Sequence, residues 1–485
     1  MPVRNGRKYL EDMNRRNREL YLSGKRVTGA ITEHPAFREM AISMAALYDM
    51  QCDPELEEEM TYASPSTGER VGVSFLQPKN REDLKRRSAM MRRWAEYSGG
   101  FLGRTPDYLN SDIMAMASAA DYFSAINSEF GRNIVSYYEY IRENDLLLTH
   151  TLINPQVNRS APPSAQSDPF IAARVAERRS DGIIVRGARM LATFPLADEL
   201  IVFPSTVLKS TVEDRPYAMA FAIPVDTPGL KFLCREPMCS ESAEDHPLSF
   251  CFDEQDAVVI FDDVFVPNER IFLLEDPEHT NVLHEATDAV VHMSHQVLIR
   301  DVCKTSLMLG VATMMAEYIG ADAFQHVQEK VARIIMMLES MRSLLLCAEE
   351  HGKINRWGIY TPDFRYLNVG RNLYPRLYPQ IREIIQQIGA SGLIALPSWK
   401  DIESENLAQY VDKYFQGRNV SAREKIALFK LAWDATGSSF GSRQELYERF
   451  FFGDPVRMAS ALFQWYDKEP YRELVRDMLK RVSER

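Results

Sequence analysis

A short segment, GRTPDY at residues 103–108, places a permanent cation and a phenol near a predicted helix start. Thr105 is a favoured N-cap residue and Pro106 is favoured at the first helical position. If the helix begins there, Arg104 and Tyr108 lie about one turn apart and can face the same point. The segment therefore predicts a ligand-binding pair, although a plain helix cap with a surface arginine fits the same residues.

A second segment, LLLTHTLINPQVNR at residues 146–159, lies where the helical texture of the sequence gives way to a β-rich one. His150 is bounded by apolar residues, and an Asn-Pro pair follows it. Gln156, Asn158 and Arg159 add hydrogen-bond donors in a stretch with weak secondary-structure signals. The segment predicts contact with a ligand, while a buried, hydrogen-bonded histidine is the simpler reading of His150 alone.

A third segment is FGSRQELYERFFFGDPVRM at residues 440–458. Gly441 and Ser442 predict a turn before an amphipathic helix, and Arg443 is adjacent to that turn. A helix N-terminus beside an arginine suits an anionic group such as a pyrophosphate. An ordinary N-cap followed by solvated charges is the alternative.

Length and composition define the class of protein around these segments. The chain has 485 residues, of which 45% are hydrophobic and 26% are charged. This predicts a globular protein of two or three domains and excludes a disordered, collagen-like or coiled-coil chain. The net charge is −11 without a basic tract, which argues against binding nucleic acid or an anionic membrane surface.

Several common signatures are absent from the sequence. The six cysteines are scattered and predict no disulfide framework. No apolar run approaches the ~20 residues of a membrane span, the N-terminus lacks a signal-peptide core, and a cytoplasmic location is expected. There is no phosphate loop, no GxGxxG and no GxSxG motif. His292 and His295 could share a helix face, but no carboxylate stands at ligand spacing, so no metal is expected.

The apolar periodicity divides the chain into three parts. It predicts a helical domain over residues 1–145 with a break near Gly131, a β domain over 146–272, and a helical bundle over 273–485. The Met- and Leu-rich stretches of the last part are typical of a bundle core. The predicted fold class is α+β, mostly α.

Five motifs in register carry a family resemblance. They are NGRKYLE, GRTPDY, HTLINPQVNR, FDDVFVPNERIF and FGSRQELYERFFFGDP. With them the chain resembles the oxygenase components of two-component 4-hydroxyphenylacetate 3-monooxygenases. The resemblance implies an acyl-CoA dehydrogenase-like fold with a middle β-barrel and a C-terminal four-helix bundle. It also implies a homotetramer that binds flavin non-covalently without a Rossmann motif.

The resemblance further implies the reaction. A separate flavin reductase supplies reduced FAD, and O2 is the co-substrate. A para-substituted phenol, 4-hydroxyphenylacetate or a close analogue, is hydroxylated at the ortho carbon to a catechol, as in aromatic hydrocarbon catabolism. Coumarate, tyrosine derivatives and halo- or nitrophenols remain alternative substrates, because pocket shape decides among them.

Site residues carried over by resemblance are of three kinds. Arg104, Tyr108 and His150 surround the phenol oxygen: the cation stabilises a phenolate, the imidazole titrates near neutrality and takes the proton, and the tyrosine donates a hydrogen bond. Ser205 and Thr206 hold the substrate carboxylate. The implied flavin contacts are His150, Thr151, Gln156, Val157, Asn158, Arg159, Thr193, Ser442, Arg443, Gln444 and Tyr447.

Three rival functions are compatible with the same fold. A 4-hydroxybutyryl-CoA dehydratase of the same superfamily needs cysteines for an iron–sulfur cluster, and no cysteine lies between Cys52 and Cys234. An acyl-CoA dehydrogenase-like enzyme needs a catalytic base that the sequence does not identify. A non-catalytic scaffold of the same fold gives no reason to keep an Arg–Tyr–His set.

Overall fold

The structure is a computed structural model that describes residues 3–203, 208–238 and 242–484. Ser205 and Thr206, the predicted carboxylate-binding residues, lie outside the described residues.

Helices dominate the N-terminal part, as the apolar spacing predicts. They are α1 Gly6–Arg15, α2 Arg38–Gln51, α3 Glu57–Met60, α4 Arg81–Tyr97, α5 Pro106–Ser118, α6 Ala120–Ser124 and α7 Ser128–Glu143. Four strands that the helical prediction missed lie among them: β1 Glu19–Leu22, β2 Lys25–Arg26, β3 Thr61–Ala63 and β4 Arg70–Gly72. Strands of two to four residues are too short to give a clear two-residue alternation.

The predicted helix break near Gly131 is wrong by several residues. The chain breaks between α6 and α7, where the side chain of Asn127 caps α7 by accepting a hydrogen bond of 3.0 Å from the Glu129 N–H. Gly131 lies inside α7, at a point where a Cβ atom would stand 1.9 Å from Ser124 Oγ. This glycine therefore permits close packing of α6 against α7 and does not end a helix.

Two sheets form the middle part. Their strands include β5 Leu148–Thr151, β6 Arg174–Arg178, β7 Gly182–Thr193, β8 Glu199–Val202, β9 Met219–Pro224, β10 Leu230–Cys234, β11 Asp256–Pro267 and β12 Ile271–Leu274, and α8 Ser249–Phe252 precedes β11. One sheet has the order β2-β1-β10-β11-β7-β6 and the other β12-β9-β8-β5. The N-terminal part thus contributes two strands to a sheet of the middle part. β5 runs parallel to β8, which sets His150 beside Ile201.

The C-terminal part is helical, as predicted. Its helices are α9 Pro277–Asn281, α10 Leu283–Ala286, α11 Ala289–Tyr318, α12 Gln325–Glu350, α13 Phe364–Gly389, α14 Ser391–Ile394, α15 Trp399–Glu403, α16 Ala408–Tyr414, α17 Ala422–Thr436, α18 Ser439–Phe450, α19 Pro455–Trp465 and α20 Glu469–Ser483, and β13 Lys353–Ile354 pairs with β14 Tyr360–Thr361. α11 packs against α12, α13 and α17, and Met308, Met315, Ile385 and Phe429 are buried between helices there. α5 also packs along α11.

The predicted domain boundaries fall close to element ends. α7 ends at Glu143 and β5 begins at Leu148, on either side of the boundary predicted after residue 145. β12 continues to Leu274, two residues beyond the boundary predicted after residue 272. The division into three domains at these positions stays a prediction.

A buried carboxylate fastens the N-terminus to the middle part. Asp198, just before β8, is 0% exposed and accepts hydrogen bonds from Arg4 Nη2 at 2.7 Å, Arg16 Nε at 3.1 Å and the Leu147 N–H at 2.9 Å. Burial alone would raise the pKa of Asp198, but the two guanidinium groups outweigh it and lower that pKa. α1 is therefore held by a charged contact with little access to water.

Asp198→Ala is expected to lower the free energy of unfolding by about 3 kcal/mol or more, because it leaves Arg4 buried without its carboxylate. Urea unfolding followed by circular dichroism measures the change. The matched control is Asp262→Ala, which removes an exposed partner of Lys231 and should change stability little. Equal losses in the two variants would contradict the role assigned to Asp198.

Candidate active site

Arg104 stands at the start of α5, where the sequence predicts it. Pro106 is the first helical residue and Thr105 the N-cap residue, although the Thr105 hydroxyl accepts a hydrogen bond from Gln296 Nε2 at 3.3 Å and does not cap the helix. Arg104 is only 7% exposed. A guanidinium buried to this extent needs compensating contacts.

Aromatic rings supply those contacts. The Arg104 Cζ atom lies 4.9 Å from the ring centroid of Tyr108 and 4.8 Å from that of Phe451, and Nη1 donates a hydrogen bond of 2.8 Å to Tyr447 Oη. Cation–π contacts of this length are worth more when water is excluded. Burial raises the pKa of Tyr108, which therefore stays protonated and able to donate a hydrogen bond. The predicted Arg–Tyr pair thus forms, inside a cage that includes α18.

His150 completes the predicted set. It lies on β5 and its ring centroid is 6.1 Å from that of Tyr108. Burial, reinforced by the positive charge of Arg104, lowers the pKa of His150 well below its usual value. The sequence predicts titration near neutrality, whereas the structure places a neutral imidazole here throughout the neutral range. A neutral imidazole can accept a proton at one nitrogen.

Two polar atoms of this set have no partner among the described residues. They are Arg104 Nε and His150 Nδ1, and both are buried. Buried polar groups are nearly always hydrogen-bonded, so such atoms at one site indicate a place for a ligand. A ligand oxygen atom would satisfy a guanidinium N–H, and a hydroxyl would satisfy the imidazole nitrogen.

A second acid–base pair, missed by sequence reasoning, borders the site. Asp112 follows Tyr108 by one turn of α5 and is fully buried, and its Oδ2 lies 3.8 Å from His284 Nε2. Burial alone would lower the pKa of His284, but the Asp112 carboxylate outweighs it and raises that pKa. The ring of Phe203 lies 4.9 Å from that of His284 and 6.2 Å from that of His150. The i, i+4 spacing to Tyr108 was a signal for Asp112, whereas nothing local to His284 pointed to the site.

In the third segment the helix begins earlier than the sequence predicts. α18 starts at Ser439, and the Ser438 hydroxyl caps it by accepting a hydrogen bond of 3.1 Å from the Gly441 N–H. Gly441 and Ser442 are therefore in the first helical turn and not in a turn before the helix. A serine three residues upstream competed with the glycine signal and formed the cap.

The flavin contacts predicted on α18 have distinct surroundings. Ser442 is exposed, whereas Gln444 is buried and joins Lys304 Nζ at 3.1 Å to the Phe101 carbonyl at 3.1 Å. Tyr447, predicted as a flavin contact, binds Arg104. Phe451, one turn further, was missed because an apolar helix residue carries no functional signal.

Thr193 and Arg443, predicted separately, meet at one carboxylate. Asp256 Oδ1 accepts hydrogen bonds from Thr193 Oγ1 at 2.8 Å and Arg443 Nη2 at 2.7 Å, and Glu254 Oε2 lies 3.4 Å from Arg443 Nη1. Burial would lower the pKa of Arg443, but these acids raise it. The positive charge of Arg443 is therefore paired with carboxylates of the same chain, and its contact with flavin stays a prediction.

The remaining predicted flavin contacts follow β5. Thr151 is buried and donates a hydrogen bond of 2.8 Å to the Met190 carbonyl. Residues 152–155 are half-buried, and the next four predicted contacts are exposed: Gln156, Val157, Asn158 and Arg159. Their contact with flavin stays a prediction.

His292 and His295 have separate partners. His295 Nε2 lies 2.8 Å from Glu349 Oε1, and His292 Nε2 lies 3.4 Å from Thr361 Oγ1. In the described ranges no group of three or more His, Cys, Asp or Glu side chains could hold a metal ion. The helices of those ranges likewise include none that could cross a membrane.

The mostly helical α+β fold recurs in a solved structure of low sequence identity to this chain. A solved 4-hydroxybutyryl-CoA dehydratase from N. maritimus matches with a TM-score of 0.88 at 20% identity, over 99% of this chain and 95% of that chain. At this identity the likeness shows the fold alone.

The family is shown by the sequence models. The model for the 4-hydroxyphenylacetate 3-hydroxylase N terminal matches residues 5–273, and the model for its C terminal matches residues 280–480. The chain therefore belongs to the 4-hydroxyphenylacetate 3-hydroxylase family, which confirms the predicted resemblance and the α+β, mostly α fold class.

Individual relatives agree with this assignment. The 4-hydroxyphenylacetate 3-monooxygenase oxygenase component of Thermus thermophilus is 52% identical over 99% of this chain and 98% of its own length. That of Geobacillus is 48% identical over 99% and 97%. A crystal structure of such an oxygenase component with FAD and 4-hydroxyphenylacetate has a TM-score of 0.94 at 52% identity, covering 99% of both chains.

The neutral state of His150 predicts a pH dependence of stability. Because the pKa of His150 is lowered by folding, the unfolded chain binds the extra proton as pH falls through about 6.5, and stability is lost there. Between pH 7.5 and 5.5 the wild type should lose about 1 kcal/mol more than His150→Gln. Urea unfolding at the two pH values measures this difference. His351→Gln, at an exposed histidine, should behave as the wild type does, and a His150→Gln profile that parallels the wild type would show the imidazole to be solvated.

Proposed function

We propose that this protein is the oxygenase component of a two-component flavin monooxygenase. It uses reduced FAD and O2 to hydroxylate 4-hydroxyphenylacetate ortho to its hydroxyl group, which yields a catechol. The observation that carries the proposal is the convergence of Arg104, Tyr108 and His150, with unpaired buried polar atoms on the first and last of them. Family membership and relatives at 48–52% identity support the same reaction.

The residues present fit FAD. Reduced FAD, when bound, supplies the electrons that activate O2. Besides the predicted contacts, Gln255 is 1% exposed and neither its amide oxygen nor its amide nitrogen has a partner among the described residues. It adjoins Asp256, which binds both Thr193 and Arg443. The amide of Gln255 thus offers one unpaired donor and one unpaired acceptor, which suit the amide-like edge of a flavin ring.

The protein's own groups act on the phenol. Arg104 stabilises negative charge on the phenol oxygen, which raises electron density at the ortho carbon. The neutral imidazole of His150 accepts the phenol proton, since burial keeps it unprotonated at neutral pH. Tyr108 donates a hydrogen bond that orients the ring. The apolar walls around Arg104 exclude water from the reacting atoms.

The choice of 4-hydroxyphenylacetate rests on the relatives. The Thermus and Geobacillus relatives, at 52% and 48% identity, are named as 4-hydroxyphenylacetate 3-monooxygenase components. A 4-nitrophenol 2-monooxygenase oxygenase component from Rhodococcus is less similar, at 31% identity. A carboxylate held by Ser205 and Thr206 stays a prediction. Coumarate, tyrosine derivatives and halo- or nitrophenols are the alternative substrates.

Partners belong to the same proposal. The oxygenase takes reduced FAD from a separate flavin reductase, assembles as a homotetramer and works in the cytoplasm. Support for assembly comes from α20, which buries none of its residues in the chain although large apolar side chains lie along it. These include Leu474, Met478, Leu479 and Val482, each at least 59% exposed. Apolar helix faces of this kind mark protein interfaces.

Charges on α20 should weaken that assembly. In the variant Leu474→Glu/Met478→Glu, the mass measured by light scattering is expected to fall below that of the wild-type oligomer, because carboxylates cannot be buried unpaired at an interface. Arg476→Ala, a nearby change at a charged position of the same helix, should leave the mass unchanged. An oligomer that is untouched by the double substitution would place the interface elsewhere.

The reaction itself is tested by mixing the protein and anaerobically reduced FAD with oxygenated buffer and 4-hydroxyphenylacetate. A catechol identified by chromatography, formed in proportion to the FAD supplied, is expected. Catechol from another phenol only would replace the substrate and keep the reaction class. Oxidation of reduced FAD with none of these phenols hydroxylated would refute the proposed function.

Arg104→Ala should reduce catechol formation about 100-fold or more, because it removes the charge that stabilises the phenolate. FAD affinity, measured by fluorescence titration, should change less than about threefold, since this guanidinium is assigned to the phenol. The matched control is Arg365→Ala, at an exposed arginine paired with Asp363. Wild-type hydroxylation by Arg104→Ala would reject the assigned role.

A further inference from the structure

The carboxylate of Glu254 contacts the backbone just before α5. Glu254 is 2% exposed, and its Oε1 accepts hydrogen bonds from two consecutive backbone groups, the Gly103 N–H at 2.9 Å and the Arg104 N–H at 2.6 Å. Two donors on one carboxylate oxygen fix both the position and the direction of this backbone. The contact spans 150 residues of sequence.

A buried carboxylate is costly unless its oxygens are satisfied. Burial raises the pKa of Glu254, and the charges of Arg443 and Arg104 oppose that change. Oε2 lies 3.4 Å from Arg443 Nη1, so both oxygens face donors. The described hydrogen bonds of Glu254 are to the backbone of residues 103 and 104 and to Arg443, and none of them joins it to Tyr108 or His150.

The same short segment reaches the residues predicted to hold FAD. Two positions after Glu254, Asp256 binds Thr193 and Arg443. Asp256 also accepts a hydrogen bond of 2.9 Å from Arg235 Nε, which anchors the segment to the chain just after β10. The acidic segment at residues 254–256 therefore contacts the Arg104 backbone on one side and the predicted flavin contacts on the other.

On the side opposite Glu254, the ring of Tyr447 confines the backbone at residues 103 and 104. A Cβ atom at Gly103 would lie 2.4 Å from Tyr447 Oη, so only glycine lets the backbone approach that ring. Tyr447 also binds the guanidinium of Arg104. The backbone is thus held between Glu254 and Tyr447, and removing either support frees the cation to shift.

We infer that Glu254 is a positioning residue that aligns Arg104 with the phenol and keeps it in register with the FAD site. It thereby sets the share of consumed O2 that ends in catechol and not in hydrogen peroxide. The inference rests on the proposed function. A displacement of about 1 Å in such a site can cost about 100-fold in rate.

Two substitutions separate this role from general stability. Glu254→Ala removes the acceptor for both N–H groups, whereas Glu254→Gln keeps an amide oxygen in its place. The control is Glu143→Ala, because Glu143 also accepts three hydrogen bonds, from Ser64, Thr67 and Arg142, but joins α7 to the β3–β4 turn. Catechol and hydrogen peroxide formed per reduced FAD are measured for each variant. Affinities for 4-hydroxyphenylacetate and FAD are measured by fluorescence titration without turnover.

For Glu254→Ala we expect the catechol yield to fall about tenfold, with peroxide rising to match. Phenol affinity should fall about tenfold while FAD affinity stays within about threefold. Glu254→Gln should recover at least about half of the yield, since the two backbone hydrogen bonds can re-form. Glu143→Ala should keep the wild-type yield.

A folded Glu254→Ala with the wild-type yield and phenol affinity overturns the inference, and so does a Glu254→Gln that performs no better than the alanine variant. Should the alanine variant fail to fold, Glu254→Asp carries the test, because its shorter side chain withdraws the acceptor. A folded aspartate variant with the wild-type yield also overturns it. If the wild type forms no catechol, the proposed function fails instead, and unchanged phenol binding in the variants then rejects the positioning role separately.

Discussion

A cation kept away from water is the constraint on which this site depends. The surrounding chain compensates the positive charge of Arg104 with ring faces, the Tyr447 hydroxyl and an ordered backbone. Those groups come from α5, from α18 and from the segment before β11. The N-terminal, middle and C-terminal parts must therefore all be in place before the cation is stabilised.

Much of the site could be predicted because its signals are local. Thr-Pro before an apolar helix marks the start of α5, and a histidine in a short buried run marks β5. Met and Leu periodicity identified the bundle for a physical reason, since its helices bury those faces against one another. The motifs in register added the family, which composition and periodicity alone do not define.

The misses have a common cause, which is that they depend on distant partners. β1 is four residues long, and it lies in a sheet because it pairs with β2 and with the distant β10. The sequence gives no functional signal for Phe451 or Asp112. Their partners become neighbours only when α18 and α10 pack beside α5. In the sequence Arg443 resembles an unpaired cation, whereas in the structure Asp256 pairs with it. The altered titration of His150 follows from burial, which periodicity predicts only roughly.

The parallel pairing of β1 with β10 bears on the order of folding. Glu19 pairs with Lys231, so more than two hundred residues of sequence separate the two paired strands. Closing so long a loop is entropically unfavourable, and non-local pairing of this kind slows folding. During synthesis on the ribosome β1 can pair with β2 at once, but its pairing with β10 must wait until β10 has emerged. Until then the pairing of β1 with β2 and the packing of α1 against α2 are the local contacts available to this part of the chain.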